Sequence, residues 1–176
     1  MIIGLDVSTS IVGVCVLSEL GEVIEFDHIN LKKIDNLYSK NTAVNQKLLS
    51  LLEKYDKSIK HIVIEKPFEF FNSGSSTAAT MSKLQRFNGM VSWAVYYLFE
   101  KEPIMVEAKE ARKLAGIKVP RGSNAKQIVL EHIQNTEEKF VIERTAKGNP
   151  RDYFYDMADA IVVAKAGSVL IKTGKA

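Results

Sequence analysis

Two short apolar runs in this chain each finish on a carboxylate. Ile2-Ile3-Gly4-Leu5 leads into Asp6, and Ile62-Val63-Ile64 leads into Glu65. Runs this short and this rich in β-branched residues read as buried strands. A carboxylate at the end of a buried strand is partly stripped of water, which costs free energy unless it is paired or bound to a cation. A fold for this chain must therefore bring two buried strand ends together and give their acids a shared purpose.

The remaining elements follow from pattern. Ile2–Val7, Val12–Ser18 and Val23–Ile29 read as three strands, the third alternating and half-buried, with a hairpin signal at Glu19-Leu20-Gly21-Glu22. His61–Glu65 and Pro103–Val106 read as two more. Helical spacing of apolar residues predicts helices over Leu37–Tyr55 and Thr77–Phe99. Shorter helices are predicted over Glu107–Ala115, stopped by Gly116, and over Asn124–Gln134 with Ser123 as N-cap. Asp152–Leu170 is the last. The segment 136–151 gives no clear pattern. The expected fold class is α/β: a mixed five-stranded sheet, antiparallel through its first three strands and parallel for the last two, flanked by helices.

The 176 residues suffice for one domain, 1–176, with a sizeable core. An apolar fraction of 46% and a charged fraction of 26% exclude a disordered or collagen-like chain. The single cysteine, Cys15, excludes an internal disulfide framework and reads as a small buried hydrophobe. The N-terminal stretch carries no basic residues and holds an Asp, unlike a signal peptide. No apolar run reaches membrane-spanning length. A cytoplasmic protein with no membrane association is expected.

Two further acids complete a set. Asp156 and Asp159 stand three apart in the last predicted helix, on one face, with Cβ atoms roughly 5–6 Å apart. Their neighbours Met157, Ala158, Ala160 and Ile161 are apolar, so this helix packs on the sheet and its acidic face meets the strand ends. Taken singly, Asp6 could cap a turn and Asp156 could be a charge favoured by the helix dipole. Asp152 is a rival ligand on the same face as Asp156. Four carboxylates without His or Cys make a hard-oxygen site suited to Mg²⁺ or Mn²⁺. Two such ions about 3.5–4 Å apart clamp a phosphodiester and activate water against it.

The charge is uneven. The net charge is +3, yet residues 109–126 carry six basic side chains and one acid, leaving −2 for the rest. Lys109, Arg112, Lys113, Lys118, Arg121 and Lys126 thus form a candidate phosphate-contacting patch on a nearly neutral body, with a solvated helix face as the plain alternative. Phe68, Phe70 and Phe71 directly follow the Glu65 strand, among Asn, Ser and Gly. They are candidates for stacking on unpaired bases. In Thr77–Phe99, the aromatics Trp93, Tyr96, Tyr97 and Phe99 exceed what one packed side needs. They suggest a homodimer through this helix.

These motifs, Gly4-Leu5-Asp6-x-Ser8 with Gly13, then Ile62-Val63-Ile64-Glu65, then Asp156-Met157-Ala158-Asp159-Ala160, resemble the RuvC family of Holliday-junction resolvases within the ribonuclease H-like nucleases. The resemblance covers nearly the whole chain in order and length. It implies that Asp6, Glu65, Asp156 and Asp159 are catalytic metal ligands for two Mg²⁺ or Mn²⁺ ions, with Phe68 at the junction centre. It also implies a homodimer that binds branched DNA and nicks a four-way junction symmetrically, without a nucleotide cofactor. Ser8 stands where the family commonly has Gly, and the loop after Glu65 is unusually aromatic. Two alternatives stay open. One is a nuclease of the same fold acting on flaps, forks or RNA–DNA hybrids. The other is an actin- or sugar-kinase-type ATP-binding domain, suggested by the Gly4–Ser10 loop but lacking a second domain and a second glycine-rich loop.

Overall fold

In the computed structural model, residues 1–67 and 77–176 are described. β1 (Ile2–Val7) is buried along its full length, as is β2 (Ile11–Leu17), and β3 (Val23–Asn30) is half-covered. β4 (His61–Glu65) and β5 (Ile104–Val106) complete a five-stranded sheet in the order β3-β2-β1-β4-β5. β1 and β2 are antiparallel, as are β2 and β3, while β4 runs parallel to both β1 and β5. A strand paired on both edges and covered on both faces has no polar side, which explains the unbroken apolar spelling of β1, β2 and β4.

Each face of the sheet has its own helical layer. Ile3, Leu5, Val7, Ile62 and Ile64 face α1 (Leu37–Tyr55) and α2 (Ala78–Phe99), where Val44, Leu48, Leu51, Phe87, Val91 and Val95 meet them. The opposite face takes α3 (Ala108–Leu114), α4 (Ala125–Thr136) and α5 (Tyr153–Lys172). α5 is apolar around most of its circumference, as befits a helix enclosed by the sheet on one side and α3 and α4 on the other. The unpatterned segment 137–152 is irregular. It anchors itself with Phe140, whose ring centroid lies 5.0 Å from that of Phe26 and 5.6 Å from that of Phe154.

Glycines set how closely α5 lies on the sheet. A Cβ on Gly13 would stand 2.0 Å from the carbonyl oxygen of Asp156. One on Gly4 would stand 2.5 Å from the carbonyl oxygen of Ala160, and one on Gly167 would stand 2.2 Å from Val63. Backbone thus touches backbone where α5 crosses β1 and β2.

Three sequence readings need correcting. Asn124, not Ser123, caps α4, its side chain accepting from the Gln127 amide at 3.3 Å. Phe99 is only 8% exposed and belongs to the core, because it lies toward the sheet side of α2 and not with Trp93 and Tyr97. β3 shows no clean alternation, because α5 and α1 half-cover it from opposite faces. Among the described residues, no helix is long and apolar enough to cross a membrane.

Two glycine substitutions separate close approach from helix propensity. Gly13→Ala forces α5 off the sheet and should cost roughly 1–3 kcal/mol or more in urea unfolding. Gly89, on the outer face of α2 with nothing near a Cβ, should instead gain about 0.5–1 kcal/mol on change to Ala. Equal effects at both positions would contradict this account of the packing.

Candidate active site

The parallel pairing of β1 with β4 runs through Leu5 opposite Ile64, so Asp6 and Glu65 follow side by side at the same end of the two strands. Alternation turns both toward α5, since Gly4 and Val63 on that face already touch it. Across β2, Asp6 pairs with Gly13, the residue that touches the Asp156 backbone. The four acids are therefore gathered by three contacts: a parallel strand pair, an antiparallel strand pair and a glycine-cleared helix crossing.

They are gathered out of water. Asp6 and Asp156 are each 9% exposed, and the side chain of Asp159 is 18% exposed. Burial pushes the carboxyl of Asp6 well above the ordinary range, with Glu65, Asp159 and Asp156 adding repulsion. Burial followed by the charge of Asp159 lifts Glu65 to about 7, against the pull of Arg112 and Lys126. Asp159 is raised to about 6, by burial and Asp156. Asp156 is also raised, by burial.

Lys126 leans over this cluster from the first turn of α4. Its Nζ lies 3.7 Å from Asp156 Oδ1 and 4.0 Å from Asp159 Oδ2. Partial burial works against its charge, but the four carboxylates outweigh that and hold its proton on. Arg112 is clamped by its own helix, with Nε donating to the Ala108 carbonyl at 2.9 Å. Glu65, Arg112, Lys126 and Asp159 line a cleft of about 220 Å³, floored by Ala108, Ala111 and Val162. Among the described residues, no three acidic, His or Cys side chains already stand close enough to chelate an ion. The donor set nevertheless fits a hard divalent cation: oxygen-only ligands, mutually repelling, with one lysine as partial counter-charge.

The other sequence candidates divide. Lys109 and Lys113 are exposed and line a separate groove of about 950 Å³ beside Leu114, Ile117 and Val119, which shares Arg112 with the acidic cleft. Lys118 and Arg121 are exposed on the loop between α3 and α4. Phe68, Phe70 and Phe71 lie outside the described residues. Asp152 is not gathered in: it caps α5 through the Tyr153 amide at 3.0 Å and pairs with Lys32, whose ammonium lowers its pKa. Trp93, Tyr96 and Tyr97 are 65%, 48% and 73% exposed on α2.

Sequence reading missed Asn88. It is 3% exposed, and its Nδ2 donates to the Glu65 carbonyl at 3.0 Å, fixing the strand end that carries the acid. Its signal was a lone amide beside Phe87 on the apolar side of α2.

Solved structures share this architecture. RuvC of T. thermophilus in complex with Holliday junction substrate matches at a TM-score of 0.68 and 12% identity, over 99% of this chain and 96% of that one. Thermus thermophilus RuvC alone matches at 0.64 and 15%, over 99% and 96%. The yeast mitochondrial Holliday junction resolvase Ydc2 matches at 0.59 and 18%, over 99% and 81%. No protein-family model matches the chain, and no curated protein matches it in sequence. The fold is RuvC-like, of the ribonuclease H type.

The raised carboxyls dictate a pH dependence. Each binds its proton more tightly in the folded state than in the unfolded one. Their stabilising contribution is complete below the ordinary carboxylate range and is lost as pH rises through about 6 for Asp159 and about 7 for Glu65. Chemical denaturation of protein in EDTA should show stability falling across that window. Asp159→Asn should flatten the fall, and added Mg²⁺ should reverse it by binding the folded state. A profile that is flat from pH 5 to 8 (roughly the span of both titrations) would count against a desolvated cluster.

Proposed function

We propose that this chain is a divalent-metal-dependent endonuclease, a single domain over 1–176 that resolves four-way DNA junctions by paired nicks as a homodimer in the cytoplasm. The observation that carries the reading is the largely buried quartet Asp6, Glu65, Asp156 and Asp159 at the end of the interior strands β1 and β4 of a RuvC-like sheet. Buried like charges are costly, and a chain that keeps four of them together has a cation and a reaction in view. The structural neighbour bound to a Holliday junction substrate supports branched DNA as the substrate class.

Asp6, Glu65, Asp156 and Asp159 would hold Mg²⁺ or Mn²⁺, which when bound acidifies water and neutralises charge on phosphate oxygens. The protein's own part is orientation and electrostatics. Asn88 fixes the Glu65 strand end, and the Gly13 contact fixes the start of the acidic turn in α5. Among the described residues, Lys126 is held by ion pairing at 3.7 and 4.0 Å, so its ammonium can turn from the carboxylates to a phosphate oxygen as charge builds there. Arg112 presents its guanidinium to the same cleft from a pre-set geometry. Lys109, Lys113, Lys118 and Arg121 supply positioning contacts to the DNA backbone. Phe68, Phe70 and Phe71 supply stacking at the branch point.

Two nicks in opposed strands call for two sites related by a two-fold axis. The exposed stripe of Trp93, Tyr96 and Tyr97 on α2 offers a self-complementary surface.

Asp6→Asn should lower nicking of a synthetic junction by about 10³-fold or more while junction binding persists. Asp152→Asn should remain near wild type, and EDTA should abolish cutting. Cleavage of flaps or RNA–DNA hybrids in place of junctions would move the function to a replication or repair nuclease of the same fold. Sedimentation should show a dimer that Tyr97→Asp dissociates, and a wild-type monomer would refute the paired-site arrangement.

A further inference from the structure

The segment between α4 and α5 closes into a small hairpin. Arg144 and Pro150 bridge as antiparallel partners. Between them the Thr145 amide donates to the Asn149 carbonyl at 2.8 Å, and the Gly148 amide donates to the Thr145 carbonyl at 2.9 Å. Gly148 takes φ +80°, a left-handed turn position that glycine adopts without strain. Arg144 Nη1 donates across the hairpin to the Gly148 carbonyl at 2.9 Å. Residues 143–149 are all exposed.

The root of the hairpin is tied to the sheet. The Arg151 amide donates to the Glu143 carbonyl at 3.0 Å. The Tyr153 hydroxyl donates to the Glu143 carboxylate at 2.8 Å, and Arg151 Nε lies 3.4 Å from the same oxygen. Tyr153 in turn stacks face to face on His28, with ring centroids 4.0 Å apart and planes within 3°. His28 pairs with Gly13, and Gly13 pairs with Asp6. These three residues form one row on the face that α5 covers. Two strand spacings put the His28 backbone roughly 10 Å from that of Asp6. The hairpin is thus rooted at the acidic end of the sheet, on its β3 side. α3, which carries Lys109 and Lys113, follows β5 directly and so lies on the other side.

Charge is sorted along this element. Its acids are used at the root: Glu143 by Tyr153 and Arg151, and Asp152 by Lys32. Among the described residues, Arg144 and Lys147 pair with no acid, and both are exposed. The turn between them carries Thr145 and Ala146, with Gly148 and Asn149 beyond, and no aromatic ring. Such a surface suits backbone phosphates and has nothing to stack on a base.

We propose that the 143–151 hairpin is a second contact for the DNA backbone, placed so that the acidic quartet lies between it and the basic residues of α3. The proposal rests on the function proposed above. Arg144 and Lys147 take phosphates on the β3 side, while Lys109 and Lys113 take them on the β5 side. The strand to be cut is held on both flanks of the reacting phosphate.

Crosslinking reads this geometry. Cys15, the single cysteine, is fully buried, so Lys147→Cys and Lys113→Cys each supply one accessible thiol for a photoreactive group. In EDTA both should attach to a synthetic four-way junction, on opposite sides of the phosphate that Mg²⁺ allows to be cut. Junction binding measured from roughly 50 to 200 mM salt gives a second readout. Lys147→Gln should lower the slope of log K against log salt by about one, and Arg144→Gln should do the same. Lys57→Gln, just after α1, should not. Arg144 also fastens the hairpin, so Lys147→Gln decides. An unchanged slope in Lys147→Gln, or crosslinks from Lys147→Cys and Lys113→Cys on the same side, would overturn the second contact and leave the nuclease reading intact. A wild-type protein that bound no DNA would overturn both. Lowered slopes in a protein that binds junctions but cuts nothing would uphold the contact and overturn the nuclease reading alone.

Discussion

Where α5 crosses β2, the space between Gly13 and the backbone of Asp156 has no room for even a methyl group. That contact sets the height of the helix over the sheet, and the helix carries half of the acidic quartet. Interior packing is dense and does not deform continuously. A helix raised by one side-chain layer would leave Asp156 and Asp159 stranded away from Asp6 and Glu65. The site is thus built by an absence of side chain at Gly4, Gly13 and Gly167, which lets acids from opposite ends of the sequence share one cleft.

Nearness has an electrostatic cost, and the fold manages it in three ways. Lys126 supplies an ammonium from α4, Arg112 supplies a guanidinium from α3, and the carboxyls themselves hold protons into the range near neutrality. The remaining tension is what a divalent cation would relieve.

Much of this was legible in the sequence, for a physical reason. Strands buried on both faces must be spelled without polar residues, so the two acids that end β1 and β4 stand out. The Asp156–Asp159 spacing is likewise visible because a buried helix has few other polar positions. The Asn124 cap was missed because Ser123 beside it has equal capping chemistry, and only backbone geometry chooses between them. Asn88 was missed because one amide in an apolar helix pattern reads as noise until its partner, a backbone carbonyl with no sequence signature, is known. Segment 137–152 has no period because it is held by three aromatic rings and not by a repeating face.

The placement of α5 has a kinetic side. The last helix of the chain is the most enclosed, and it closes over the first strand, so its contacts with β1 and β2 span most of the sequence. Closing such long loops is slow and comes late in folding. During synthesis, β1 and β2 can pair early, but the face that α5 covers waits until that helix emerges. Half of the acids arrive with that last piece. The acidic quartet therefore cannot come together before α5 has docked on the sheet.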